Sequence, residues 1–132
     1  MANDAESAAR GLLAELEQRL AAKDLDAMAD LFTDDVVLIG DEVENFDRES
    51  TVAYLALMAD MKPTVRWDWD RVAVLLNAPG VLSFAAAGTI AFDDEAGQRR
   101  SDPEPFRLTC LAVEQGDRWR WRHFHGSAPR AD

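Results

Sequence analysis

At Pro63 the spacing of apolar residues changes, from mostly helical over residues 4 to 61 to alternation from Val65 onward. That switch restricts the fold to helices assembled ahead of a sheet. Residues 4 to 22 carry Ala9, Leu12, Leu13, Leu16 and Leu20 on one stripe with Glu15, Glu17, Gln18 and Arg19 off it, the pattern of an amphipathic helix. Asn3 and Glu6 have the spacing of a capping box at its start. Asp24 is placed to cap a second short helix from Asp26 to Phe32. Val36 to Ile39, ended by Gly40, predicts a short buried strand, and the acidic stretch Asp41 to Asp47 predicts a loop. A third helix runs from Asp47 or Ser50 to Met61, where Lys62 and Pro63 stop it. Beyond it, Val65, Trp67, Trp69, Arg71, Ala73 and Leu75 alternate with Arg66, Asp68, Asp70, Val72, Val74 and Leu76, which predicts a long strand. Asn77 to Gly80 is a turn, residues 81 to 92 form the next strand, and Asp93 to Pro105 is a charged connection. Phe106 to Glu114 and Trp119 to Ser127 then pair as a hairpin around Gly116-Asp117. The class is α+β, with helices covering one face of a meandering sheet.

A chain of 132 residues is expected to form one domain with room for a core. With 48% hydrophobic and 30% charged residues it has the composition of a soluble globular protein, and no apolar run reaches membrane-spanning length. The acidic N-terminus lacks the features of a signal peptide, so a cytoplasmic location is expected. A net charge of −11 disfavours nucleic acid and anionic lipid as partners. The one cysteine, Cys110, has no intramolecular disulfide partner.

Alternation through the last strand places Trp119, Trp121, His123, His125 and Ser127 on one face and Arg120, Arg122 and Phe124 on the other. A two-residue hairpin loop sets Gln115 opposite Arg118, Ala112 opposite Trp121, Cys110 opposite His123 and Leu108 opposite His125. Both histidines of the chain then share a face with Phe106, Leu108, Cys110 and Ala112, an aromatic and apolar wall carrying two groups that exchange protons near neutral pH. His123 and His125 are therefore the acid/base candidates. Trp121, Trp67 and Trp69 are candidates to line a cavity, with Tyr54 as a hydroxyl donor and Cys110 as a small buried wall residue. Two histidines at i and i+2 begin a metal site, but a third ligand from Asp68, Asp70, Asp41, Glu42 or Glu44 is not fixed by any spacing, and no metal is assigned. The opposite face, with Val72, Val74, Leu111, Val113 and Phe124, is the expected homodimer surface.

The order helix, helix, strand, helix and four-stranded meander resembles the nuclear transport factor two-like superfamily. Two segments sharpen the likeness: Leu20 to Gly40, and the pattern Trp119, His123, His125, Ser127. Both are similar to SnoaL-like proteins, and the second also resembles the association domain of calcium/calmodulin-dependent kinase. The resemblance implies a cone-shaped α+β fold, N-terminal helices on a strongly curved, mostly antiparallel sheet, with a cavity inside. It implies a small hydrophobic or cyclic ligand and no cofactor. The alternatives it carries are a cofactor-free isomerase, cyclase or dehydratase working through a pocket histidine, and a non-catalytic dimerisation domain. The tyrosine that ketosteroid isomerases place on the first helix has no counterpart here, since Tyr54 falls on the third. Of the histidines, tyrosines and aspartate of scytalone dehydratase, only the histidines have counterparts. The basic pocket of the kinase association domain is not matched by the apolar positions between Phe106 and Glu114.

Overall fold

The computed structural model describes residues 2–61, 64–94, 98 and 102–129. Helix α1 (Ala2–Ala22) is followed by α2 (Leu25–Ala29), β1 (Phe32–Ile39), β2 (Glu44–Asn45) and α3 (Arg48–Met61), and then by four long strands: β3 (Thr64–Ala78), β4 (Val81–Asp93), β5 (Glu104–Gln115) and β6 (Arg118–Ser127). They form one unclosed, curved sheet in the order β2-β1-β6-β5-β4-β3, antiparallel except where β1 runs parallel to β6.

Local chemistry accounts for most boundaries. Lys23 takes a left-handed backbone (φ 56°) that ends α1, and the Asp24 carboxylate accepts from the Asp26 and Ala27 amides at 3.1 and 3.2 Å, as its capping position predicts. Asp47 does the same for α3 through the Ser50 amide at 2.7 Å. Helix α1 already begins at Ala2 and Glu6 pairs with Arg10 one turn on, at 3.0 Å, while the Asn3 side chain of the expected capping box lies outside what is described. Helix α2 stops at Ala29, short of the expected Phe32, and β1 starts at Phe32, four residues before the expected strand. Leu31 and Phe32 are both buried, so the chain turns into the core here instead of continuing along a helix. The acidic loop also contributes the two-residue strand β2.

Bulges in the long strands decide which side chains face inward. The β5–β6 hairpin keeps the expected pairing of Gln115 with Arg118, Glu114 with Trp119 and Ala112 with Trp121, and then slips by one residue, so that Leu111 opposes His123, Cys110 opposes Phe124 and Thr109 opposes His125. Arg122 is the inserted residue. Its guanidinium reaches the Asp35 carboxylate at 3.3 Å and the Asp35 carbonyl at 2.9 Å. Beside it β1 has its own irregularity between Phe32 and Val37, so the two neighbouring strands bulge together. In β3 a second shift between Trp69 and Arg71 exchanges the faces again: Val65, Trp67 and Trp69 are followed inward by Val72 and Val74, while Arg71, Ala73 and Leu75 are exposed. Opposite this bulge the β3 backbone folds so closely over Gly88 that a Cβ there would stand 1.9 Å from the Asp68 carbonyl oxygen. Only glycine admits that approach.

The inner face and the helices enclose the core, with Phe84, Leu13, Leu31, Phe32, Val36 and Trp121 almost wholly buried. Trp121 lies 6.0 Å from Phe84 and edge-on to Phe124 at 5.8 Å. No helix among the described residues is long and apolar enough to cross a membrane.

Candidate functional site

Between the helices and the inner sheet face lies a cavity of about 520 Å³. Leu16 and Leu20 reach it from α1, Tyr54, Leu55 and Met58 from α3, Trp67 from β3, Ile90 and Phe92 from β4, Phe106 from β5 and Phe124 from β6. Trp67 is the hub of the aromatic wall, 6.3 Å from Phe106 and 6.4 Å from Phe124 between ring centres. Its backbone amide donates to the Glu17 carboxylate of α1 at 2.7 Å, which pins the strand to the helix, and its indole N–H is buried without an acceptor among the described residues. Buried polar atoms are seldom left so.

Tyr54 is half-buried, and among the described residues no hydrogen-bond partner meets its hydroxyl. Burial, and then the negative charge of Asp41, raise the phenol above its ordinary value. It is therefore a neutral donor at physiological pH. Asp41 and Glu42 stand exposed at the rim with Lys23, and the Ala128 amide donates to Asp41 at 3.3 Å.

Of the residues singled out in the sequence, the cavity brings together Tyr54 and Trp67. Trp69 packs against Trp67 at 5.7 Å behind that wall, where its carbonyl accepts from Arg10. Trp121 and Cys110, 2% and 1% exposed, belong to the core and do not line the cavity. Burial pushes the Cys110 thiol far above its usual range, which leaves it a packing group rather than a nucleophile.

The histidines depart furthest from expectation. They do not share the inner face with Trp121, because the extra residue at Arg122 sends both to the outer face. There, His123 in its Nδ1–H tautomer donates to the Val37 carbonyl at 3.0 Å, and His125 is exposed, their rings 6.2 Å apart. The same slip turns Phe124 and Gly126 inward and removes Phe124 from the expected dimer face; the β3 bulge removes Val72 and Val74 in the same way. The signal in the sequence was the clash of parity between Trp121 and Phe124: two large apolar residues three apart share a strand face only if one extra residue lies between them. No group of three or more His, Cys, Asp or Glu among the described residues stands close enough to hold a metal ion.

Compared with known proteins, residues 10–131 match the SnoaL-like domain. The chain belongs to this family. Solved structures share its fold. An inferred dehydratase of the nuclear transport factor two-like family from Streptomyces avermitilis superposes with a TM-score of 0.78 at 13% identity, covering 98% of both chains. An inferred calcium/calmodulin-dependent protein kinase II association domain from Xanthomonas campestris gives 0.77 at 20% identity over 92% of this chain and 85% of that one. A nuclear transport factor two-like protein of unknown function from Pseudomonas putida gives 0.74 at 21% identity over 98% and 89%. These likenesses establish the fold. No curated protein sequence matches the chain.

Proposed function

We propose that this SnoaL-like chain binds a small hydrophobic molecule with a ring system and an oxygen acceptor in the inner cavity. The observation that carries the reading is an aromatic, largely apolar cavity lined by Tyr54, whose hydroxyl has no partner among the described residues. An apolar body fits the walls, and a carbonyl or hydroxyl oxygen fits the Tyr54 donor. The test is a thermal-shift titration with α-tetralone and with naphthalene, its counterpart without the oxygen. A ligand at 100 times its dissociation constant adds about 2.7 kcal/mol, so α-tetralone is expected to raise Tm by several degrees. Gly126→Ala is expected to abolish the shift, because the added Cβ meets the Phe106 ring at 2.6 Å and drives it into the cavity. Equal responses in wild type and Gly126→Ala would overturn the reading.

A second reading, a cofactor-free isomerase, cyclase or dehydratase, is favoured by Tyr54 and Asp41 lining the same cavity. A neutral phenol and a carboxylate in one cavity offer a proton donor and acceptor without either histidine. Tyr54→Phe and Asp41→Asn would then remove turnover while leaving ligand affinity within about tenfold. For the homodimer, the residues that support an outer-face contact are the exposed Leu75 and Leu76 with Leu111 and Val113. Sedimentation of wild type and Leu76→Asp decides it.

A further inference from the structure

The outer face carries a second, shallower depression of about 420 Å³. Its floor is made of side chains that stop at Cβ: Ala73 pairs across to Ala85, and Ala87 lies two residues along β4 on the same face. Alanine is a poor strand former, and three on one solvent-facing patch keep a space open that larger residues would fill. The row through Ala87 runs Arg71, Ala87, Arg107, Ser127, and the row through Ala85 runs Ala73, Ala85, Thr109, His125. Two guanidiniums therefore flank the alanine floor from strands two spacings apart, about 10 Å between backbones.

The charges around this floor are both unpaired among the described residues. Acidic residues outnumber basic ones 25 to 14, and Arg10, Arg48, Arg66, Arg118, Arg120 and Arg122 each meet a carboxylate. Among the described residues Arg71 and Arg107 meet none, as is also true of Arg19 and Lys23, but only Arg71 and Arg107 flank one depression. Asp68 shares their face but forms no ion pair with Arg71, and Arg107 donates only to the Ser127 hydroxyl, at 3.3 Å. Two like charges held beside a flat apolar floor, in a protein with acid to spare, leave an unmet demand for an anion.

We propose that this groove is a binding site for a small organic carboxylate with a flat apolar body, the body lying on Ala73, Ala85 and Ala87 and the carboxylate held between Arg71 and Arg107. Thr109 and His125 close the far wall. The site is separate from the inner cavity and stands whether or not that cavity binds a ligand.

The experiment is an amide-resolved NMR titration of the whole chain with benzoate and, in parallel, with benzamide, which keeps the ring and loses the charge. Benzoate is expected to move the Ala85, Ala87 and Thr109 amides saturably and to leave Leu55 and Met58 of the inner cavity in place, with benzamide inert. Arg71→Ala and Arg107→Ala, both exposed positions, are each expected to weaken benzoate about tenfold with unchanged melting. Equal responses to benzamide, benzoate shifts confined to the inner cavity, or full affinity in both arginine variants would overturn the proposal. So would unresponsive amides in a protein whose sedimentation shows a dimer, which would assign the groove to a second copy of the chain.

Discussion

On its inner side the sheet presents Trp67, Phe106 and Phe124 to a helix-walled cavity; on its outer side the same strands present Arg71, Arg107 and His125 to an open groove floored by alanine. Neither set differs in strand membership or in position along the sheet. What separates them is parity, which alternates plainly through Phe106 and Arg107 of β5 and is reset by inserted residues near Asp70 in β3 and at Arg122 in β6. Side-chain identity thus says what a surface can do, while backbone bulges say which surface a side chain reaches.

The sharpest way to break the contrast is at Gly88, where β3 folds across the sheet. Gly88→Val is expected to remove the cooperative urea transition altogether, since the added atoms occupy the Asp68 carbonyl, while Gly11→Ala, with nothing within 4 Å, leaves it intact. Next in size, Trp121→Ala is expected to cost about 3–5 kcal/mol as a core cavity, and His125→Ala, further along the same strand, to stay within about 0.5 kcal/mol. Urea midpoints measure both. A large loss at His125 would mean that the outer face is packed as tightly as the inner one.

Cys110 tests the inner side chemically. With its thiol raised by burial, alkylation by iodoacetamide at pH 8 is expected to run more than about 100-fold slower in the folded protein than in urea. The smallest effect belongs to the ion pairs that hold β6 to the α2–β1 turn. The Arg120 hydrogen bond is the main influence holding the Asp30 carboxyl below its ordinary value, with the charges of Arg118 and Arg120 adding to it. A lowered folded value means stabilisation that is complete above the unfolded value of 3.8 and is lost as pH falls through the lower folded one. Asp30→Asn is expected to cost about 1 kcal/mol or less at pH 7, a difference that fades below pH 4, followed by thermal melts across that range.

The helices, the Asp24 cap and the turn that sets Gln115 against Arg118 were legible because each rests on local chemistry: apolar spacing, a capping carboxylate, a two-residue loop. Tyr54 and Trp67 could be nominated from residue type, and both line the cavity. The placement of His123, His125, Phe124, Val72 and Val74 was not legible, because it depends on where a strand accommodates one extra residue. In β6 the extra residue, Arg122, reaches Asp35, eighty-seven residues away in sequence. Within β6 itself the only trace of it is the three-residue spacing of Trp121 and Phe124.

The parallel pairing of β1 with β6 has a consequence for the order of events. Val37 and His123 are 86 positions apart, so β1, which pairs early only with the two-residue β2, finds its long neighbour only once β6 exists. During synthesis the helices and β1 wait beside an incomplete sheet, and the cavity closes with the arrival of the last strand. Such closure is slow for its size, since a long loop must be ordered before any contact rewards it. The C-terminal strand therefore acts as the clasp of this fold, and the time spent unclasped is when its apolar interior is exposed to other chains.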